Sequence, residues 1–327
     1  MAKRGVLAAC LLLAASLLTA GCGGAASSVP QPGVETTTVL TIGTADSGGT
    51  MYPVGTVLAE ALSASIMNLK VNVSASTGSV GNVLALAEGE LDLALVSGDV
   101  AWAAVNGGDE DTPRTEGLRC VGAVYQSFSN WVAPRRLRAE YVHDLAGRVI
   151  GVGPEDSTTE LSARIALQVL GLDSRSTAVN CSLNEGCEKM TAKEIDAMHS
   201  FSGLETRSVA EITRSMDCVI LRYTDEELED ILTYNPYYYK TVIPAGTYED
   251  QTGDIPTFGV KCLLCVDEGM DEALVYALTA ALWDSRGELS AAEPALADLM
   301  ADEFVCQNLP IPLHEGAERF YQEMGAL

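Results

Sequence analysis

The stretch Thr44-Ala45-Asp46-Ser47-Gly48-Gly49-Thr50-Met51-Tyr52-Pro53 follows a short apolar run and opens a helical pattern. A second stretch, Ala75-Ser76-Thr77-Gly78-Ser79-Val80-Gly81-Asn82, again lies between a β-like run and a helical pattern. The start of a helix leaves several backbone N–H groups without partners and carries a partial positive charge. Two helix starts at neighbouring strand ends therefore predict a pocket for an anion, and a small carboxylate is the expected ligand.

Strands and helices alternate around these two turns. Buried apolar runs predict the strands, and an apolar face predicts each helix. Such alternation is typical of a parallel sheet that binds its ligand beyond the carboxyl ends of the strands. The predicted elements are a strand at 39–43, a helix at 50–66, a strand at 71–75, a helix at 79–88 and a strand at 91–96.

The pattern restarts at Asp144. Gly151-Val152-Gly153-Pro154-Glu155-Asp156-Ser157-Thr158-Thr159 runs from a strand into a helix expected at 159–170, and it is a third candidate anion site. Hydroxyl groups, glycine backbone and helix N–H groups can together hold a carboxylate without a lysine. Taken alone, each turn also fits a capped helix beside a tight turn. Further strands are predicted at 119–125, 218–221 and 260–266, a strand-like turn at 196–203, and helices at 206–215 and 271–285.

Charge and length limit the possible functions. The 327 residues suit two lobes, each with its own core. Asp and Glu outnumber Lys and Arg by 45 to 20, and the formal net charge of −25 argues against nucleic acid or anionic lipid as a partner held by charge. Screening by salt over about 8 Å leaves local dipoles inside a cleft free to bind an anion.

Residues 1–22 are predicted to be a targeting segment. Lys3 and Arg4 precede an apolar run at 6–18, and Thr19-Ala20-Gly21-Cys22 resembles the lipobox of a bacterial lipoprotein signal, in which Cys22 receives the lipid. An ordinary cleaved signal and a membrane anchor are the alternatives, although the apolar run is shorter than the roughly 20 residues of a spanning helix. Residues 23–38 are predicted to be a flexible tether.

Seven cysteines remain after Cys10 leaves with the signal and Cys22 takes the lipid, so the number is odd. Cys181 and Cys187 flank a turn-like segment and could close a small disulfide loop, or both could stay as thiols. Cys262 and Cys265 have the spacing of a redox or zinc half-site. Because residues three apart on a strand point to opposite faces, we interpret this pair as two buried core residues.

Three common catalytic motifs are absent from the sequence. A Gly-x-Ser-x-Gly elbow, a His-Glu-x-x-His pair and a Gly-x-x-x-x-Gly-Lys phosphate loop are all missing from the sequence. His143, His199 and His314 are scattered in the sequence. His199 either packs at a strand end or reaches the cleft, and His314, which stands beside Glu315, is either a base or part of a structural tail. The acidic run at 109–111 lacks the EF-hand spacing and is interpreted as a solvated loop. We therefore expect no enzyme, no metal and no cofactor.

Together the motifs resemble the TAXI-type substrate-binding proteins of TRAP transporters. The matching segments cover nearly the whole chain in the same order, which makes the resemblance much more specific than one glycine-rich turn. They are 42–55, 77–82, Leu91-Asp92-Leu93-Ala94-Leu95-Val96-Ser97-Gly98-Asp99, 144–147, Ile243-Pro244-Ala245-Gly246-Thr247-Tyr248, 275–276 and Ile311-Pro312-Leu313-His314-Glu315-Gly316-Ala317-Glu318-Arg319-Phe320-Tyr321.

The resemblance implies an α/β, two-lobed periplasmic-binding-protein fold of type II-like topology, with a ligand cleft between hinged lobes. Residues 39–125 plus 267–327 would form lobe 1 and residues 126–266 lobe 2. It implies an extracytoplasmic, lipid-anchored monomer that binds a glutamate-like amino acid or a dicarboxylate and delivers it to a TRAP permease. A receptor for an ATP-driven importer and a ligand sensor share this fold and remain alternatives.

The resemblance also implies a set of ligand-facing residues. Where the family often has Gly-Ser-Gly-Thr, this chain has Glu155-Asp156-Ser157-Thr158-Thr159, which brings acidic groups close to the third turn. The predicted ligand-binding residues are Ser47, Gly48, Gly49, Thr50, Tyr52, Thr77, Gly78, Ser79, Val80, Ser97, Asp99, Tyr125, Ser157, Thr158, Thr159, Phe201 and Gly203.

Overall fold

A computed structural model of the chain describes residues 37–107 and 114–327. The predicted signal, the lipid site Cys22, nearly all of the tether and the acidic run at 109–111 lie outside these residues. The strands are β1 (Thr38–Gly43), β2 (Leu69–Ser74), β3 (Leu93–Ser97), β4 (Leu118–Pro134), β5 (Val149–Gly153), β6 (Thr177–Asn180), β7 (Ala197–Ser202), β8 (Cys218–Leu221), β9 (Tyr239–Ile243) and β10 (Ile255–Asp267).

Helices cover both faces of these strands. They are α1 (Met51–Ser65), α2 (Ser79–Ala87), α3 (Gly98–Asn106), α4 (Thr158–Val169), α5 (Leu183–Ala192), α6 (Arg207–Ser215), α7 (Asp225–Tyr234), α8 (Glu272–Asp284), α9 (Arg286–Ala292), α10 (Asp302–Cys306) and α11 (Glu315–Met324), with 3₁₀ segments at Arg135–Leu137, Val142–Leu145 and Pro294–Met300. In the part of the chain that is described, none of the helices combines the length and apolar character that a bilayer crossing demands.

The strands form one mixed sheet in the order β2-β1-β3-β10-β4-β7-β5-β6, with β8 paired to β4 and β9 to β10. Its two ends are parallel, because β1 pairs β2 and β3 in that sense and β5 pairs β6 and β7 likewise. Its centre is antiparallel, because β4 and β10 run in opposite directions beside each other. The prediction of a parallel sheet is therefore right for the ends and wrong for the centre.

The long strands β4 and β10 divide the molecule into two halves. The first half contains β1–β3, α1–α3 and α8–α11, and the second half contains β5–β9 and α4–α7. In each half, separate apolar clusters lie on the two faces of the sheet, and Cys262 and Cys265 fall in different clusters of the first half. The interpretation of this pair as buried core residues on opposite faces is confirmed. The exact lobe boundaries stay a prediction.

The helices that follow the three glycine-rich turns are confirmed to within a residue or two at each end. The segment after Cys181 is not a turn, since a capping box between Ser182 and Glu185 starts α5 there. That helix carries Cys187 away from Cys181, and the Cys187 thiol contacts the carbonyl of Ser208. All cysteines within residues 37–107 and 114–327 are free thiols, so the disulfide alternative for this pair is not realised.

Candidate ligand cavity between the two halves

The three predicted turns meet at one cavity. Two of them come from the first half and the third comes from the second half, which places helix starts on opposing walls. The space between the protein atoms, including the opening, is about 430 Å³. The lining residues are Ala45, Asp46, Gly49, Thr50, Met51, Thr77, Gly78, Tyr125, Pro154, Ser157, Thr158, Thr159, Leu183, Phe201 and Ser202.

The first turn is held by an aspartate. The carboxylate of Asp46 accepts the N–H of Gly48 at 2.7 Å, and the carbonyl of Asp46 accepts the N–H of Gly49 at 3.3 Å. These contacts shape the loop before α1, and Asp46 is one of the residues that line the cavity. Helix α1 then begins after Thr50, whose hydroxyl does not cap its own helix.

The second turn depends on a glycine with a positive φ. Gly78 has φ +123°, a backbone conformation that residues with a side chain rarely adopt, and it precedes α2 directly. Its N–H donates to the hydroxyl of Ser76 at 3.0 Å. The amide of Asn82 donates to the carbonyls of Thr44 and Leu95 at 2.7 and 2.8 Å and so ties the first two turns to β3. Local turn chemistry and one buried amide thus set the position of this wall.

The third turn is a capped helix start. The Ser157 hydroxyl accepts the N–H of Glu160 at 3.1 Å, which is a standard N-cap bond. Thr158 and Thr159 occupy the first turn of α4, where backbone N–H groups have no intrahelical acceptor. The wall from the second half therefore offers N–H groups and hydroxyls to the cavity, with the Ser157 oxygen already engaged by the helix.

Hydrogen bonds between the two halves close the cavity on one side. The Thr50 hydroxyl accepts the N–H of Gly203 at 2.9 Å and lies 3.0 Å from the Thr206 hydroxyl. The Ser208 hydroxyl lies 2.9 Å from the carbonyl of Gly48 and 2.8 Å from Oδ1 of Asn184. Gly48 and Gly203 therefore take part in bonds between the halves and do not line the cavity.

Apart from Gly48 and Gly203, the predicted site residues fall into three groups. The cavity is lined by Gly49, Thr50, Thr77, Gly78, Tyr125, Ser157, Thr158, Thr159 and Phe201. Ser47 and Tyr52 line an adjacent outer groove of about 1270 Å³, open to solvent, which shares Gly49 and Thr50 with the cavity. Ser79, Val80, Ser97 and Asp99 line neither space.

Ser79, Ser97 and Asp99 are engaged within the first half. The Ser79 hydroxyl accepts the N–H of Ser97 at 2.9 Å, and the Ser97 hydroxyl donates to the Asp99 carboxylate at 2.6 Å. Burial raises the pKa of the Asp99 carboxyl, although the hydroxyls of Ser97 and Tyr238 and the N–H of Val100 act in the opposite direction. These residues support the strand end and the start of α3.

The electrostatics of the cavity come from dipoles and one carboxylate. Among the described residues that line it there is no Lys, Arg or His, and Asp46 supplies the charged side chain. An anionic group would be held by backbone N–H groups and hydroxyls, while Asp46 would attract a cationic group. The arrangement suits a small molecule that carries both.

The histidines lie outside the cavity. His199 is fully buried behind α4, so it packs at the strand instead of reaching the cleft. His314 accepts the N–H of Gly316 at 3.2 Å and lies 3.1 Å from the carbonyl of Met270, which is the structural role expected of the tail. In residues 37–107 and 114–327, no three His, Cys, Asp or Glu residues come together in a way that could hold a metal ion.

Three contact residues across the cavity were missed by the sequence analysis. Asn184, Thr206 and Ser208 belong to the starts of α5 and α6, and they meet the first turn only through the tertiary fold. A Ser or Thr near a predicted helix start is a weak signal, because capping explains it equally well.

The fold of this chain is similar to the folds of several solved structures. The chain is similar to the crystal structure of the substrate binding protein of an amino acid ABC transporter (14% identity, TM-score 0.50, 80% of this chain and 98% of that chain). It is similar to an ancestral arginine-binding protein bound to arginine (13% identity, TM-score 0.50, 79% and 97%). It is also similar to PhnD1 from Prochlorococcus marinus in complex with methylphosphonate (12% identity, TM-score 0.55, 88% and 99%).

The fold is therefore the α/β fold of the periplasmic binding proteins, as the sequence predicted. The chain belongs to the NMT1-like family, whose sequence profile matches residues 42–325. Membership of the TAXI group within TRAP systems stays a prediction.

Proposed function

We propose that this chain is an extracytoplasmic solute receptor that captures a small organic acid between its two halves and delivers it to a membrane transporter. The observation that carries the proposal is the convergence of three helix-start turns, from both halves, on one cavity. A ligand that touches both halves favours the closed arrangement over the open one. Such a receptor binds and releases its ligand without chemical change.

Among the two expected ligand classes, the cavity favours a glutamate-like amino acid over a dicarboxylate. The carboxylate of Asp46 on the wall is a partner for an ammonium group and would repel a second carboxylate of the ligand. The N–H groups and hydroxyls at Thr158 and Thr159 are partners for the α-carboxylate or the side-chain carboxylate.

A thermal-shift and calorimetric screen tests this function. The panel contains L-amino acids, C4–C5 dicarboxylates and hydroxy acids, because a ligand present at 100 times its dissociation constant adds about 2.7 kcal/mol to the free energy of unfolding. We expect L-glutamate or a close relative to stabilise the protein more than any dicarboxylate does. A screen in which no small acid shifts the transition would contradict the proposal.

A charged substitution in the third turn tests whether the ligand binds in the cavity or at another surface. Thr158→Asp adds a carboxylate to the cavity wall at a helix start, where Asp is compatible with the helix, so the fold should persist while acid binding is lost. Thr233→Asp adds the same charge on the exposed side of α7 and should bind as the parent does. Equal loss in both variants would show that net charge, and not the cavity, governs binding. Ser79 is unsuitable for this test because its buried hydroxyl supports Ser97.

The transporter partner and the anchor are parts of the same proposal. The motif resemblance supports a TRAP permease, and uptake driven by an ion gradient in the absence of ATP would separate it from an ATP-driven importer. The lipobox-like sequence supports anchoring through Cys22. Metabolic labelling with a palmitate analogue should mark the protein and should fail for Cys22→Ala.

A further inference from the structure

A hydrogen-bonded row of buried side chains lies behind the third turn. The Trp131 indole contacts the Tyr223 hydroxyl, which lies 2.9 Å from the Ser129 hydroxyl. The Ser129 hydroxyl lies 3.0 Å from Nε2 of His199, and Nδ1 of His199 lies 3.1 Å from the carbonyl of Thr159. All of these side chains are buried, and those of His199 and Trp131 are completely so.

The hydrogen bonds of this row of side chains can all point in one direction, from Trp131 to the carbonyl of Thr159. An indole N–H can only donate, so the Tyr223 hydroxyl accepts from Trp131 and its own O–H is available to donate to Ser129. At the other end a carbonyl can only accept, so Nδ1 of His199 must carry the proton that reaches Thr159. Ser129 then donates to Nε2, which is unprotonated. The carbonyl of Thr159 therefore requires the neutral imidazole with its proton on Nδ1, and the contacts at the Trp131 end are compatible with that tautomer.

The carbonyl that ends this row of hydrogen bonds belongs to Thr159, a residue of the cavity wall. Thr159 lies in the first turn of α4 and lines the cavity. The same strand that carries His199 contacts this residue a second time, since the N–H of Phe201 donates to the Thr159 hydroxyl at 3.4 Å. Strand β7 thus holds the start of α4 at two points, and Phe201 itself lines the cavity.

We propose that His199 is a positioning residue for the ligand cavity: held by Ser129 as the Nδ1–H imidazole, it fixes the first turn of α4 against β7. The inference rests on the proposed function for its consequence on binding, while the tautomer and the fixed helix start can be measured without a ligand. Burial lowers the pKa of His199 to about 3, against a weaker opposing effect of the bond to Thr159, so the ring stays neutral at physiological pH.

The tautomer is tested on the unmodified full chain by ¹⁵N NMR of the imidazole rings. We expect His199 to carry its proton on Nδ1 at pH 7 and at pH 5. His314 is an internal reference in the same spectrum, because it accepts at Nδ1 and faces a carbonyl at Nε2 and should therefore show the opposite tautomer. An Nε2–H signature for His199, or an imidazolium at pH 5, would overturn the proposal.

Two substitutions separate the two contacts of the ring. The side-chain nitrogen of His199→Asn lies where Nδ1 lies and can still donate to Thr159, whereas the oxygen of His199→Gln reaches the place of Nε2 and keeps only the bond with Ser129. We expect amide hydrogen exchange of Leu161, Ala163 and Phe201 to accelerate about tenfold in the Gln variant, the equivalent of one net hydrogen bond, and to stay near the parent rate in the Asn variant.

A buried histidine in the other half provides the control. His314→Gln should leave the exchange of α4 unchanged. Equal rates in the parent and both His199 variants would contradict the positioning role. Equal acceleration in Asn and Gln would contradict it as well, because general loosening of the core would then explain the effect.

The consequence for binding is measured with L-glutamate as the probe. His199→Gln should weaken binding about tenfold, and His199→Asn should restore most of the affinity. If the parent protein does not bind L-glutamate, the ligand class proposed above is wrong, and the NMR and exchange results still decide the role of His199. Glutamate affinity that is equal in the parent and the Gln variant would overturn the proposal.

Discussion

Acid should destabilise this protein through one histidine. His199 is fully buried, its pKa in the folded state is about 3, and its ordinary value is 6.5. The unfolded chain therefore binds a proton between these two values and the folded chain does not. The free energy of unfolding must fall as the pH falls through this window, since the proton favours the unfolded state.

The size of the effect follows from the two pKa values. Between pH 7 and pH 5 the linkage relation gives a loss of about 2 kcal/mol from His199 alone, and the loss grows to about 4 kcal/mol by pH 3. The groups that face the ring are Ser129, Tyr223, Trp131, Thr159 and Phe201, and none of them titrates in this range. No nearby charge therefore offsets the loss.

The assay is urea unfolding, followed by tryptophan fluorescence, of the parent and of His199→Asn at several pH values. Every other titrating group is common to both proteins, so the difference between their stability curves isolates His199. We expect the parent to lose about 2 kcal/mol more than the variant from pH 7 to pH 5. Parallel curves would refute the reasoning, because they would mean that the imidazole accepts a proton in the folded protein.

Two further predictions concern the turn before α4 and the buried acid of the first half. Gly153→Ala should lower the free energy of unfolding by about 1–3 kcal/mol, because Gly153 has φ +102° and a Cβ atom would lie 2.7 Å from the side chain of Thr159. In the control Gly171→Ala the new Cβ meets no atom within 4 Å, and the free energy of unfolding should fall by about 1 kcal/mol or less. Urea unfolding measures both variants. Burial raises the pKa of the Asp99 carboxyl, so the parent loses stability as the pH rises through this raised pKa, whereas Asp99→Asn does not. The free energy of unfolding of the variant should therefore rise relative to that of the parent between pH 4 and pH 8. A constant difference between the two proteins would contradict this prediction.

The turns could be predicted because their causes are local. A positive φ at Gly78 and an N-cap at Ser157 need only the neighbouring residues, and the helices that follow them begin where the sequence indicated. The direction in which each hydroxyl points is not local. Ser79 and Ser97 are residue types that often bind ligands. In the structure, however, the Ser79 hydroxyl accepts the N–H of Ser97 and the Ser97 hydroxyl donates to Asp99, and only the packed structure shows this.

Nonlocal pairing also explains the larger errors. The centre of the sheet is antiparallel because β4 and β10 cross from one half to the other, and no periodicity within a single strand reports the direction of its neighbour. The segment after Cys181 looked like a turn because of its small and polar residues. A capping box made it a helix instead, a signal that was present at Ser182 and Glu185 and was overlooked.

The order in which the elements of the two halves follow one another along the chain affects the order in which the halves can fold. Everything between β4 and β10 is one uninterrupted stretch, so the second half has all of its helices once β10 has been synthesised. The first half must wait, since Ile42 and Leu58 pack in a cluster completed by Val275, Leu278 and Phe320 from the far end of the chain. Contacts between such distant residues form late because their loop is long to close. Helix α1 is therefore synthesised early, and its core is complete only when the carboxy-terminal helices are present.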